Sequence, residues 1–515
     1  LDPRSIVYRA IAVNMLSFPI ASLLSLFLWA FTRVSADTCS EVRDNTDIQV
    51  SSPLQLSYID EQADYWSASC SALKPSCIIF PSTAAEVAAV LRVINTNNER
   101  FAVKSGGHSP NNYYASIDGG PLISTQRLDH VLLDPATGVI DVGPGNRLDE
   151  VAAKLQGTGW TFVGGRIGNT GVGGLMLGGG LSYMSAQYGW SASSAISYEL
   201  VLANGTIVTA SATSHPDLFV ALKGGGNNFG VITNYKLQAH RQGQVYGGNL
   251  VFLRTPDLDA ALLRAVRDFT EHNTDDKAAI IVTAERTTVD LVDSWILFLF
   301  YDGPESAVPP GTFTSFTSLK PLTNTLRTRT YADMMAESNW VVLKGFQVQI
   351  GTETIPLPDA SNADEVLIEG IHAHWRNVTD DALLVPGLVA SIAYMPFPKR
   401  IAQAARERGQ DLLDVDADAD RLLVELDYIF LSPTDYDKME QTMVETYDGI
   451  RERVVGWQGE GKLRDVYLPL FMNYGFYRQD YWGRLKVASR QLAREVAERV
   501  DPGGLFRGRT GGWKP

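Results

Sequence analysis

Cysteine is scarce in this chain, and the three present are badly placed for a metal centre. Cys70 and Cys77 lack the paired spacing of zinc ligands, and no histidine follows them closely. In an oxidising compartment Cys39, Cys70 and Cys77 allow one disulfide and leave one thiol over, and the spacing alone does not say which. Positive charge is scarce too: 44 Lys and Arg against 58 Asp and Glu give a formal net charge of -14. Without clustered Lys and Arg to meet phosphates, a nucleic-acid partner is not expected. Long apolar runs are also missing. The best candidate, within residues 15–36, is broken by Pro19, Ser22 and Ser25 and falls short of the ~20 apolar residues that a membrane span needs. Its closing Val34-Ser35-Ala36 reads as a cleavage site, so residues 1–36 are expected to be an N-terminal extension and secretory signal, leaving an exported protein with no membrane partner. The acidic stretch at residues 411–420 lacks the central Gly and terminal Glu of a calcium loop and reads as a solvated loop. No metal site is expected.

Glycine, by contrast, is abundant, and three clusters stand out among its 45 residues. The first is Lys104-Ser105-Gly106-Gly107-His108-Ser109, which follows the apolar strand Phe101-Ala102-Val103. Its glycines remove side chains where backbone must approach something bulky and anionic, such as a dinucleotide pyrophosphate, and His108 stands at the rim with a nucleophilic imidazole. The second cluster fills residues 164–180, with Gly165, Thr170, Gly171, Val172, Gly173, Gly174, Gly178 and Gly179 at its centre. The third runs from Gly224-Gly225-Gly226 to Gly230-Val231-Ile232.

Periodicity fills in the elements between them. Residues 78–80 read as a strand, and Thr83-Ala84-Ala85-Glu86 as a capping box opening a helix that carries Val87, Val90, Leu91 and Ile94. Residues 139–142 form another strand, and Asn146 is placed to cap a helix bearing Leu148, Val151, Ala152 and Leu155. Asn204-Gly205 turns a hairpin, and Pro216 opens a short helix. Further on, residues 280–284 and 295–301 look like sheet strands, with amphipathic helices at residues 257–271 and 435–453. The tail run Leu468-Pro469-Leu470-Phe471-Met472-Asn473-Tyr474 reads as a strand ending on an aromatic.

Together, and in this order, the three clusters resemble the flavin domain of the berberine bridge enzyme-like oxidases, PCMH-type members of the vanillyl-alcohol oxidase superfamily, in its fungal branch. The likeness is strong over residues 65–240 and moderate in the tail. It implies an α+β fold: a two-subdomain FAD-binding unit at residues 73–241, a substrate domain at 242–460 with an antiparallel sheet covered by helices, and a segment at 461–515 that returns to the FAD unit. It implies FAD held by Lys104, Ser105, Gly106, Gly107, His108 and Ser109, by Gly165 and Thr170 to Gly174, by Gly178 and Gly179, by Gly230, Val231 and Ile232, and by Asn473. His108 would bond covalently to the 8α carbon. Relatives that add a second, cysteine link carry it just before the Gly171 turn; here that region is Ile167-Gly168-Asn169-Thr170, so a single link is implied. The resemblance favours pairing of Cys39 with Cys77. It places Tyr474 at the substrate face as the group that takes or relays the substrate proton, with Asp414, Asp416 and Glu425 as alternative bases. Thr170, close to valine in size, favours reoxidation by O2. The implied activity is oxidation of an alcohol or amine carbon of a small molecule, a secondary metabolite or sugar, with release of H2O2. An oligosaccharide oxidase of the same fold and a redox-silent flavin-binding surface protein are the competing readings. The sequons Asn204-Gly205-Thr206 and Asn377-Val378-Thr379 are compatible with export.

Overall fold

The structure is a computed structural model that describes residues 37–515; the expected signal segment lies outside them. The described residues fold as α+β, with sheets of four, five and eight strands, a two-stranded ribbon, and helices packed against them. In the first sheet the strands run in the order Gln49–Ser51, Cys77–Phe80, Pro121–Ser124, Ala102–Lys104; the first pairing is antiparallel and the other two are parallel. Parallel neighbours need a crossover, and the helix Ala84–Asn97 supplies it. Its Val87, Val90, Leu91 and Ile94 recur at helical spacing and are fully buried. Thr83 caps it by accepting from the Glu86 N–H, and Asn98 ends it in the left-handed conformation at φ 58. The expected capping box is half present, because the Glu86 carboxylate accepts from Ser82 N–H instead of Thr83. Cys39 and Cys77 form the disulfide, tying the first described helix to this sheet, and Cys70 is buried and free.

The five-stranded sheet is antiparallel, in the order Val131–Asp134, Val139–Val142, Val231–Gln238, Ala195–Val201, Ile207–Ser211. Its last two strands are the Asn204-Gly205 hairpin. Helix Leu148–Leu155 lies against it, but Arg147 rather than Asn146 is the cap. The Asn146 amide is already committed, donating to the carbonyls of His130 and Gly143 and so fixing the turn before the helix.

The eight-stranded sheet is antiparallel throughout and draws its strands from between Val245 and Phe430. Its strands alternate strictly. Val282, Ala284, Trp295, Leu297 and Leu299 point into a core beneath helices Pro256–His272 and Tyr436–Gly459. The intervening Ile281, Thr283, Glu285, Ile296 and Phe298 face a cavity on the other side. The tail then crosses back: Phe101 N–H donates to the Arg509 carbonyl, and Asn228 donates to that of Trp513. Residues 472–474, read from sequence as a strand end, form a one-turn 3-10 helix, Met472–Tyr474. Among the described residues no helix is long and apolar enough to cross a membrane, and no group of three or more His, Cys, Asp or Glu could hold a metal ion.

Candidate active site

The histidine turn is built from below. Lys104 is buried and ion-paired with Glu61 at 2.8 Å, and Ser124 donates to the same carboxylate. Such a pair holds the end of the strand in register, because either partner alone would be a buried, uncompensated charge. Ser105 then stitches the turn to its neighbours, donating to the Pro144 carbonyl and accepting from Gly173 N–H. A Cβ on Gly106 would sit 2.5 Å from the Gly171 backbone, and Gly107 has φ +65 with Asp64 oxygen 2.7 Å from where its Cβ would be. These glycines are therefore demanded first by turn-against-turn packing inside the protein, and only secondarily by the approach of a ligand.

His108 follows them on the wall of a cavity of about 570 Å³. Its ring packs on Trp66 with centroids 4.5 Å apart, and its Nε2 is buried with no hydrogen-bond partner. Burial, helped by the nearby Arg147 guanidinium, holds the imidazole down to about 4, so it is neutral and nucleophilic near pH 7. Ser105, Gly106, Gly107, Ser109, Gly165, Thr170, Gly171, Gly173, Gly174, Gly230, Val231, Ile232, Asn473 and Tyr474 line the same cavity. Four of the expected cofactor residues do not. Lys104 lies beneath the turn with Glu61, and Val172 is packed in the core. A Cβ on Gly178 would meet the Asn473 side chain at 2.5 Å, and Gly179, at φ +103, faces Leu413. Asn473 itself clamps this helix end, accepting from Gly180 N–H and donating to the carbonyls of Gly174 and Leu175.

In the same cavity, Tyr474 accepts a hydrogen bond from the Arg166 guanidinium, which also reaches the Met395 sulfur. Burial pushes the phenol above its ordinary range, and the charge on Arg166 works against that rise. Three carboxylates from the large sheet share the space. Burial and then Asp427 push Glu425 well up, with Arg166 opposing; Asp427 is pushed up to about 7 by burial, with Glu285 adding and Ser391 opposing; burial also raises Glu285. Asp414 and Asp416 are elsewhere. They pair with Arg406 and Lys486 on a loop that does not line the cavity, which removes them as candidate bases and leaves Glu425.

Sequence reasoning assigned no role to Trp66, Arg166, Glu285 or Asp427. A signal existed for one of them: in Leu422-Leu423-Val424-Glu425-Leu426-Asp427 two acids stand two apart within an apolar strand, which places both on one face. Arg166 was the lone charge of its glycine cluster.

The residues present fit a flavin dinucleotide. The cavity has the volume usual for a bound organic ligand, its wall carries an orphaned buried imidazole nitrogen, and its backbone-rich side is crowded with glycine. A family model described as an FAD binding domain matches residues 75–211. An uncharacterized FAD-linked oxidoreductase from Arthroderma benhamiae is 39% identical over 470 residues, covering 91% of this chain and 92% of that protein. Among solved structures, a berberine bridge enzyme variant superposes with a TM-score of 0.72 at 18% identity, over 92% of this chain and 99% of that one. A xylooligosaccharide oxidase from Myceliophthora thermophila gives 0.70 at 20% identity, over 92% and 98%. A cavity of this make, in a chain this similar to an FAD-linked relative, identifies the protein as a member of the FAD-linked oxidoreductases, with the fold of berberine bridge enzyme.

Proposed function

We propose that the protein is an exported oxidase that takes a hydride from an alcohol or amine carbon of a small molecule and delivers the electrons to O2, forming H2O2. The observation that carries this reading is one cavity lined both by a neutral His108 whose Nε2 has no partner and by Tyr474 with Arg166 and Glu425. His108 and the glycine turns would hold FAD, His108 by a single covalent bond to the 8α carbon. The bound flavin supplies the hydride acceptor and its reoxidation by O2.

The remaining work belongs to the chain. Arg166 occupies the Tyr474 oxygen as a donor, which leaves the phenol's own proton free to be passed on as the substrate's oxygen or nitrogen gives one up. A phenol held above its ordinary range is a poor resting base, so it relays the proton and does not keep it. Glu425 in its ionised form, close enough for its charge to act on both Arg166 and Tyr474, receives it and becomes the neutral acid that burial favours. Single attachment rests on the lack of a cysteine in the cavity wall, since buried Cys70 contacts the carbonyls of Ser109 and Pro110 and is not part of the lining. Export rests on residues 15–36, with a mature start near Asp37, and both sequon asparagines, Asn204 and Asn377, are exposed.

Acid precipitation of the purified protein tests the attachment. Yellow colour should stay with the pellet, and a peptide containing His108 should carry the flavin mass; free flavin in the supernatant defeats the claim. Peroxide release across a panel of sugars, aromatic alcohols and amines tests the activity, and a flavin that bleaches with substrate but yields no peroxide in air would make the protein a dehydrogenase.

A further inference from the structure

The sheet side of the cavity holds an acidic notch that the hydride chemistry does not use. Strand Ala278–Thr287 pairs with Val389–Phe397, which pairs with Arg421–Phe430, and the registers set Glu285 opposite Ser391 and Ser391 opposite Asp427. Adjacent strands lie ~4.8 Å apart, so the two acids flank a small serine across a gap of roughly 9–10 Å between their backbones. Like charges this close on one sheet face repel, and burial adds to the cost of ionising them. No cation offsets that cost at Glu285 or Asp427 among the described residues; Arg166 acts on Glu425. Asp427 Oδ2 receives only a 3.3 Å hydrogen bond from Ser391, and its Oδ1 is buried without a partner. Around the notch the wall is aliphatic and aromatic, with Ile281, Ile296, Phe298, Ile350, Val389 and Ile429.

An unpaired acidic notch in an apolar frame has a definite complement. We propose that Glu285, Ser391 and Asp427 form a subsite for a positively charged nitrogen, so that the substrate class is an amine carried on an apolar or aromatic body. A hydrated inorganic cation would leave the apolar frame unused. A sugar would present hydroxyls to Ile and Phe side chains that cannot hydrogen-bond them. The proposal rests on the reading that this cavity receives the substrate.

Calorimetric titration of the purified holoenzyme with phenyltrimethylammonium and with its uncharged isostere tert-butylbenzene separates charge from shape. The cation should bind at least tenfold tighter than the isostere at pH 8. Asp427→Asn and Glu285→Gln should each weaken the cation at least tenfold while leaving tert-butylbenzene unchanged. Cation affinity should fall between pH 8 and pH 6, as Asp427 takes up a proton near 7; the ionisable groups facing it are Glu285, Glu425 and Tyr474. Equal affinity for the two probes overturns the proposal, as does an unchanged cation affinity in both variants. A parallel loss of both probes in the variants also counts against it, because shape and not charge would then be what the notch supplies. Titration reads the notch whether or not hydride is transferred, so a failure of the oxidase reading would show separately, as missing covalent flavin or missing peroxide.

Discussion

Tyr474 is held between opposing influences, burial raising its proton affinity and the Arg166 guanidinium lowering it. Because only the hydroxyl is removed, Tyr474→Phe isolates its chemistry: rapid-mixing measurements should show flavin reduction by substrate slowed ~100-fold, with flavin content unchanged. A normal reduction rate would return Tyr474 to a packing role and leave Glu425 as the acceptor. His108 and Tyr474 could be singled out from sequence because each sits in a short motif. Arg166 could not be given its role, because the hydroxyl it contacts is 308 residues away along the chain, and no local pattern carries that information. Glu285 and Asp427 were hidden for a related reason. On separate strands each is one acid among many, and only the registers through Ser391 make them a pair.

At the scale of elements, the contact between the first two glycine clusters is backbone against backbone. Gly106→Ala would force its Cβ to within 2.5 Å of Gly171, where no flexible side chain can yield. Overpacking of this kind costs ~1–3 kcal/mol, so the variant should melt at a lower temperature and take up less flavin during expression. Undiminished stability and flavin content would show that the turns can separate without loss. The strands and helices themselves were largely legible. Short apolar runs rich in β-branched and aromatic residues marked the strands at residues 280–284 and 295–301, and helical spacing marked Ala84–Asn97 and Pro256–His272, because each helix buries one face on a continuous core. The tail was not, since Leu470-Phe471-Met472 is apolar without a period and its 3-10 turn is set by contacts from the flavin unit. Asn146 misled for a different reason: a good capping residue was spent on the carbonyls of the preceding turn.

For the molecule as a whole, buried titratable groups make stability depend on pH in both directions. Asp427 titrates near 7 when folded and ~3.9 when unfolded, so between those values the native protein holds more protons, and stability falls as pH rises through the window. His108, His240 and His372 act oppositely. Burial holds them at about 4, 4 and 3, below the unfolded value of ~6.5, and stability falls as pH drops below that value. Asp427→Asn should therefore raise the melting temperature at pH 8, with the gain vanishing by about pH 4; a gain that is the same at both pH values would mean that the carboxylate is not the source. Stability surrendered here is what an occupied notch would return. One further consequence concerns biosynthesis. The wall that begins at Trp66 and His108 is completed by Tyr474, Gly512 and Trp513, and the Phe101 strand is held by Arg509. A ribosome that has finished the glycine clusters has therefore made only half of the container. The cavity cannot be closed until residue 513 has emerged, so a cofactor taken up earlier would meet a site still open on the side where the tail docks.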